Sequence, residues 1–472
     1  MKKTKNKVKF FYPTKLLLLV LLTTILLFGI IVLNNFHQLS NQTVFATIIP
    51  VTGGNCGKTG SDVKYDLDAS GNLRIYGSGE MEDYEGEDTP WFDYCEEITT
   101  VTVDTNSNVT YVGNYGFAGC TNLSTASLGS VTSVGEWVFM ACESLNSVDL
   151  GYLRDIGYSM FAGCTSLSEI DLTGIESIGS NAFSYCTSLN SITIPTSVTS
   201  VDSSAFKNCT GLEEVDLGSL STISASMFEG CSSLTSIDLS NVTSVGSSAF
   251  KNCTGLEEVD LGSLSTVSAS MFEGCSSLTS IDFSDIITIG DRGFGNCDAF
   301  TQIYLDSVTS IGTYAFAGCD NLTRVDIKSI VNYFGEGIFA DCFSFEKLVI
   351  WNAGNLRDIS EDSYGSMGTA NEEGGFDLYV PIEMVEDFRN VGGWYDENIQ
   401  DYLNGLQQEE PFSNVLNIYE VSALPDYVDP SAGGDNETGV ITDIVLPSIM
   451  ATTLVGIIGY MAFDTVKKRK RI

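Results

Sequence analysis

"CTGLEEVDLGSLSTISASMFEGC", Cys209–Cys231, is one unit of a repeat that organises most of this chain. Cysteines recur at Cys95, Cys120, Cys142, Cys164, Cys186, Cys209, Cys231, Cys253, Cys275, Cys297, Cys319 and Cys342; the first step is 25 residues and every later one 22 or 23. A fixed period near 22 marks a solenoid, in which units too small to bury their own apolar face stack against their neighbours. Written from one Cys, the unit is C-x-x-L-x-x-[IV]-x-[LI]-x-x-[VIL]-x-x-[IV]-x-x-x-x-F, with the next Cys three places after the Phe. Ser203–Asp238 and Ser247–Asp282 are the same 36 residues except for Ile223 against Val267. A two-unit block has therefore been duplicated at an offset of 44.

Within the unit, Val215 and Leu217 alternate with Glu214, Asp216 and Gly218. That period of two is a short strand with one buried face. The segment "SSAFKNC", Ser203–Cys209, has Phe and Cys three apart after small residues, which suits a short helix or helical turn. Twelve stacked strands would form a parallel sheet about 58 Å long at the usual spacing.

Three stretches carry a family resemblance: "IGSNAFSYCTSL" (Ile178–Leu189), "VGSSAFKNCTGL" (Val245–Leu256) and "IGTYAFAGCDNL" (Ile311–Leu322). They resemble the BspA-like class of leucine-rich repeat. Tyr65–Tyr84 with Thr89–Tyr94 is similar to that family's amino-terminal cap, and Leu378–Trp394 to its terminal repeat. The Asn ladder of ordinary leucine-rich repeats is missing, since Leu220 stands eight after Leu212. The resemblance spans about residues 56–400 and implies a surface-exposed adhesin that binds host proteins or other cells. A fold alone does not settle function.

The chain has 472 residues and a formal charge of −38, but its two ends are basic. With the six Lys before position 46, the five Lys and Arg of Lys467–Arg471, and Asp443 and Asp464 left out, the middle of the chain stands near −47. Such a surface repels nucleic acid and favours cationic partners. The single histidine, His37, lies in the leader. This excludes a Ser–His–Asp triad, a Cys–His pair and a histidine zinc site from the rest of the chain.

The ends give an address. Lys-rich residues 1–15 and the apolar run Leu16–Leu33 read as a secretion signal, with Val44-Phe45-Ala46 offering cleavage after Ala46, or as an uncleaved anchor. Val445–Phe463 is long enough to span a bilayer and is followed by a basic tail that stays cytoplasmic. "DNETG" (Asp435–Gly439) just before it is similar to a sortase sorting signal in its Thr438-Gly439, but it lacks the usual Pro. Sortase attachment and a plain transmembrane anchor both place the repeats outside the cell. The resulting organisation is 1–46 signal or anchor, 47–94 N-terminal β cap, 95–352 leucine-rich-repeat solenoid, 353–425 C-terminal cap, 426–439 acidic Pro/Gly spacer, 440–466 membrane or sorting segment and 467–472 basic tail.

Alignment of the units places Asp149, Asp171, Asp216, Asp238, Asp260, Asp282 and Asp326 in one column, interrupted by Thr193 and Tyr304. Glu169, Glu214 and Glu258 form a second column on the same face. Either the acids hydrate the sheet and discourage stray strand pairing, or they form a negative stripe for a basic protein or glycan partner; at most they bind Ca²⁺ weakly. The Cys column reads as buried thiols behaving as small hydrophobes, with neighbour-to-neighbour disulfides as the alternative; Cys56 lies off the ladder and is a candidate partner for Cys95. Aromatics in the caps (Tyr76, Tyr84, Trp91, Tyr94; Trp351, Tyr379, Trp394) cover the open ends of the core or offer a carbohydrate platform. The expectation is an adhesion or ligand-binding protein with no catalytic centre and no cofactor, contacting host matrix or surface proteins or glycans. A passive surface layer and a carbohydrate-active enzyme are the rival classes.

Overall fold

The computed structural model describes residues 52–352, 376–380, 415–420 and 424. The chain enters through an antiparallel cap: β1 (Thr52–Asn55), β2 (Asp62–Leu67) and β3 (Asn72–Glu80) pair in order. β2 alternates exposed and buried residues, as a strand with one wet face must. β3 then pairs in parallel with β4 (Thr100–Val103) and β5 (Asn108–Val112), so one long cap strand templates the two sheets that follow.

From there each coil holds three segments. A strand of three or four residues joins the first parallel sheet, as Glu214–Asp216 does with Ser191–Thr193. A two-residue strand such as Thr222–Ile223 joins the second, opposite Ser244–Val245. The third segment, which contains the Phe and Cys, is not the short helix that the spacing suggests. Its residues alternate in hand: Ser204 and Asn208 have φ of 60° and 58°, with Phe206 between them in the ordinary region. Alternation turns successive amides the same way along the solenoid axis. The N–H groups of Ser204, Phe206 and Asn208 therefore donate to Ala225, Met227 and Glu229 of the next coil at 3.0, 3.0 and 2.6 Å. A helix would turn those donors onto its own backbone. Left-handed residues other than Gly cost about 1–2 kcal/mol each, and three bonds to the next coil offset that cost.

The core is a pair of ladders. Phe117, Phe139, Phe161, Phe183, Phe206 and their successors to Phe339 are all buried and stacked, with ring centroids from 5.3 to 6.1 Å apart. Burying each Phe contributes on the order of 1.5–3 kcal/mol. Beside them every thiol from Cys142 to Cys342 donates to the carbonyl of the Phe one coil back, at 3.1 Å for Cys186 to Phe161 and 3.2 Å for Cys231 to Phe206. The thiol thus fills the core and adds a second donor to a carbonyl that already accepts the N–H of the Cys three residues on. Trp91 of the cap starts the Phe ladder. It stacks on Phe117 at 5.8 Å, meets Tyr65 and Tyr84 edge-on, and donates through Nε1 to the Gly116 carbonyl at 3.0 Å.

The expected pairing of Cys56 with Cys95 does not form. Cys95 is bonded instead to its ladder neighbour Cys120, with Cα atoms 4.3 Å apart. Cys56 stays a buried thiol in the cap hairpin, where its own amide and carbonyl bind Val63 and Glu82. The other ten ladder cysteines are free and buried.

Each acidic segment of the first face ends in a cap of its own, whether it forms a strand, as at Asp216, or not, as at Asp171 and Asp282. Oδ1 of Asp149, Asp171, Asp216, Asp238, Asp260 and Asp282 accepts the backbone N–H two residues on, at 2.9 to 3.0 Å. This Asx turn supplies the hydrogen bond that the chain loses as it leaves the sheet.

Two outcomes follow. Burial holds the thiols from Cys142 to Cys297 protonated, with Cys186 and Cys275 pushed up to about 12, whereas the unfolded chain releases those protons near pH 9. Stability is then fully present below about pH 9 and falls as pH rises toward about 12. Urea unfolding at graded pH measures this, and a thiol reagent at pH 8 should label the eleven free cysteines only after denaturation. At the strand caps, Asp238→Asn should keep the turn bond while relieving repulsion from Asp260, its direct cross-strand neighbour. Asp238→Ala loses the bond, at about 0.5–1.5 kcal/mol. Thermal unfolding should rank Asn above Asp and Asp above Ala.

Candidate functional site

The first sheet presents its outer residues in two columns. Register sets them: Ser191 faces Glu214 and Thr193 faces Asp216; Ser236 faces Glu258 and Asp238 faces Asp260. The structure places Asp149, Asp171, Asp216, Asp238, Asp260 and Asp282 on this surface, all exposed, together with exposed Glu169, Glu214 and Glu258. The glutamates are two coils apart, with Ser191 and Ser236 between them. Like charges in that column are therefore never direct neighbours. The doubled "GLEEVD" places its second glutamate in register with serine, whereas its aspartate faces Thr193 in the first copy and Asp238 in the second.

Asp326 does not belong to this surface. Its side chain is 1% exposed and forms a two-pronged contact with Arg324, Nε to Oδ2 at 3.0 Å and Nη2 to Oδ1 at 3.2 Å. On the adjoining strand Val349 takes the outward position and is buried with Tyr379 and Leu424. Apolar cover on the outer face excludes water there, and a carboxylate under such cover needs a cation beside it. The exposed acids thus run from Asp149 to Asp282.

The two columns differ in what holds them. Each Asp spends one carboxylate oxygen on its own strand cap. Hydrogen bonds from the hydroxyl and backbone of Thr173 hold the Asp171 carboxyl below its usual range, and the backbone of Ser284, then its hydroxyl, do the same for Asp282. Glu214 and Glu258 cap nothing, and among the described residues neither takes part in a salt bridge. Sequence reasoning gave both columns one purpose. The signal that separates them was present in the Asp-x-Gly and Asp-x-Ser spacing of a turn.

Among the described residues no three His, Cys, Asp or Glu side chains converge on a point where a metal ion could sit. The column geometry is the reason, since each coil adds at most one carboxylate to each of the two columns. Burial and hydrogen bonding take the cap aromatics Trp91 and Tyr84 out of the surface. Thr438, Gly439 and Trp394 lie outside the described residues, as do the leader and the C-terminal apolar segment. Among the described residues no helix is long and apolar enough to cross a membrane.

Comparison with known proteins agrees with the repeat. The family described as "BspA type Leucine rich repeat region" matches six copies, over residues 88–209, 154–276 and 243–368. No curated protein matches. Solved structures with a similar fold include a leucine-rich repeat protein from Bacteroides ovatus ATCC 8483, 22% identical, covering 67% of this chain and 98% of that one with a TM-score of 0.32. A leucine rich cell surface protein from Faecalibacterium prausnitzii A2-165 is 21% identical, over 64% of this chain and 96% of that one, TM-score 0.37. The pneumococcal vaccine antigen PcpA is 16% identical, over 76% of this chain and 96% of that one, TM-score 0.44. The 22-residue coil, the Phe and Cys ladders and the family match lead to one conclusion: this chain belongs to the BspA-type leucine-rich repeat family.

Proposed function

We propose that the protein is a cell-surface binding protein whose exposed acidic sheet face, from Asp149 to Asp282, docks a partner that presents basic groups. One observation carries this reading. Glu214 and Glu258 stand exposed on a rigid sheet with no salt bridge and no capping role among the described residues, so neither the strands nor the turns account for them. Glu169 repeats the pattern two coils upstream of Glu214. The Asp column adds further exposed carboxylates, one per coil from Asp149 to Asp282 except at Thr193. Charge on a fixed surface steers a partner of opposite sign and sets orientation more than it sets raw affinity.

The setting supports the same reading. A neighbour of the same fold is described as a cell surface protein, and another as a vaccine antigen. The basic leader, the apolar C-terminal span and its basic tail fit an exported chain held at the surface. Host matrix proteins, host surface proteins and proteins of other cells are the partner classes that such an address makes available. Repeated acids without a single irregular cluster give no basis for proposing catalysis.

Binding to immobilised extracellular-matrix proteins, titrated with salt, tests the proposal. Replacing Glu214 and Glu258 together by Gln should weaken binding on the order of three- to tenfold and flatten its salt dependence, with the melting temperature unchanged. Binding that survives the double substitution unchanged would overturn the role of this face and assign its acids to hydration.

A further inference from the structure

Tyr115, Trp137 and Tyr158 form an aromatic ridge on the turn side of the first coils, away from the acidic columns. Tyr115 and Trp137 stack with centroids 4.7 Å apart and an interplanar angle of 15°; Tyr158 stands across Trp137 at 5.3 Å and 81°. Tyr158 is 40% exposed, and the other two are half-buried. Both Tyr115 and Trp137 are left-handed, with φ of 56° and 57°. Bulky side chains rarely occupy that region.

The repeat supplies its own control. In four consecutive later coils the same position is Ser204, Ser226, Ser248 and Ser270, at φ of 60°, 54°, 58° and 54°. Those coils stack and hydrogen-bond as the aromatic ones do: Trp137 donates to Tyr158 O at 2.9 Å and Ser226 to Ser247 O at 2.9 Å. The fold therefore accepts serine at this position; the rings contact one another from coil to coil, but the coils stack without them. The exposed ring is Tyr158, one residue before the left-handed Ser159, and an exposed ring set against two half-buried ones is a reason to look for a ligand.

We infer that the ridge binds a neutral glycan. The corner between Tyr158 and Trp137 offers an apolar wall to the flat C–H face of a hexose. Polar groups lie beside it: the exposed Glu136 follows Tyr115 by one coil, and its amide is held by Asn114 Oδ1 at 2.8 Å. A few placed polar groups against aromatic walls is the usual composition of a site for a small polar ligand. Charge narrows the class. With the middle of the chain near −47 and Glu136 at the ridge, sialylated, sulfated and phosphorylated chains are repelled. Neutral hexose and N-acetylhexosamine chains are not. The ridge is independent of the acidic sheet face, so either assignment can fail alone.

The test applies the full-length protein, in a detergent without a sugar headgroup, to immobilised neutral oligosaccharides of glucose, galactose and N-acetylglucosamine beside sialylated and sulfated counterparts. Saturable binding to a neutral member is expected. It should hold between about 50 mM and about 500 mM salt, because no charge pairing drives it. Trp137→Ser and Tyr158→Ser should each weaken it about tenfold or more, the effect of losing one anchoring aromatic. Glu214→Gln with Glu258→Gln should leave it unchanged. Absence of binding across the neutral panel would overturn the inference. So would a Trp137→Ser protein that melts earlier yet binds as the parent does, or one whose only change is in self-association.

Discussion

The hydrogen bond from each cysteine thiol to the Phe carbonyl one coil back is the constraint on which the rest of this structure depends. Together with the backbone hydrogen bonds between coils, which set the rise, it lines each Phe ring up on the next. It also gives each buried Phe carbonyl a second donor beside the N–H of the Cys three residues on. Only a small side chain with a weak donor fits, which is why Cys recurs where Ser or Ala would be the ordinary small residues. At the amino end the same column turns covalent, between Cys95 and Cys120, and Trp91 closes the Phe ladder from outside. Contacts run almost wholly between adjacent coils, so stability accumulates coil by coil, as in other solenoids.

Both outer surfaces inherit that register. A coil spacing fixed by the core sets the interval between carboxylates on the sheet face and between side chains on the turn side. The sequence can then vary either surface without disturbing the ladders. Glu214 and Glu258 vary one, and Tyr115 and Trp137 vary the other. The duplicated block repeats the acidic surface unchanged and carries serine at all four of its turn positions.

Much of this was legible before any coordinates. The interval of 22 gave the solenoid, the alternation around Val215 gave the strand, and the family resemblance matched the repeats. Three features were not legible. The turn segment looked helical because nothing in "SSAFKNC" marks Ser204 and Asn208 as left-handed; the demand comes from amides that must reach the next coil. Asp326 looked like its column mates because the groups that bury it, Arg324 beside it and the apolar cluster around Val349, are a local pair and a distant contact. Cys56 looked like a partner for Cys95 because sequence position shows neighbours along the chain and not neighbours in the stack. The aromatic ridge had a signal in the sequence, since Tyr115 and Trp137 align with the serine position, but alignment on the Cys directs attention to the core.

Removal of whole coils tests the nearest-neighbour account most directly. Deleting residues 203–246 takes out 44 residues and joins Asp202 to Ser247, which restores the local sequence that was there before. The account predicts a shorter protein that still unfolds cooperatively and keeps its thiols protected from labelling. Deleting residues 203–242, four fewer, puts the Cys and Phe of one side out of step with the other. That protein should expose thiols and lose cooperative unfolding. If the two deletions behaved alike, the ladder register would not be what holds the coils together.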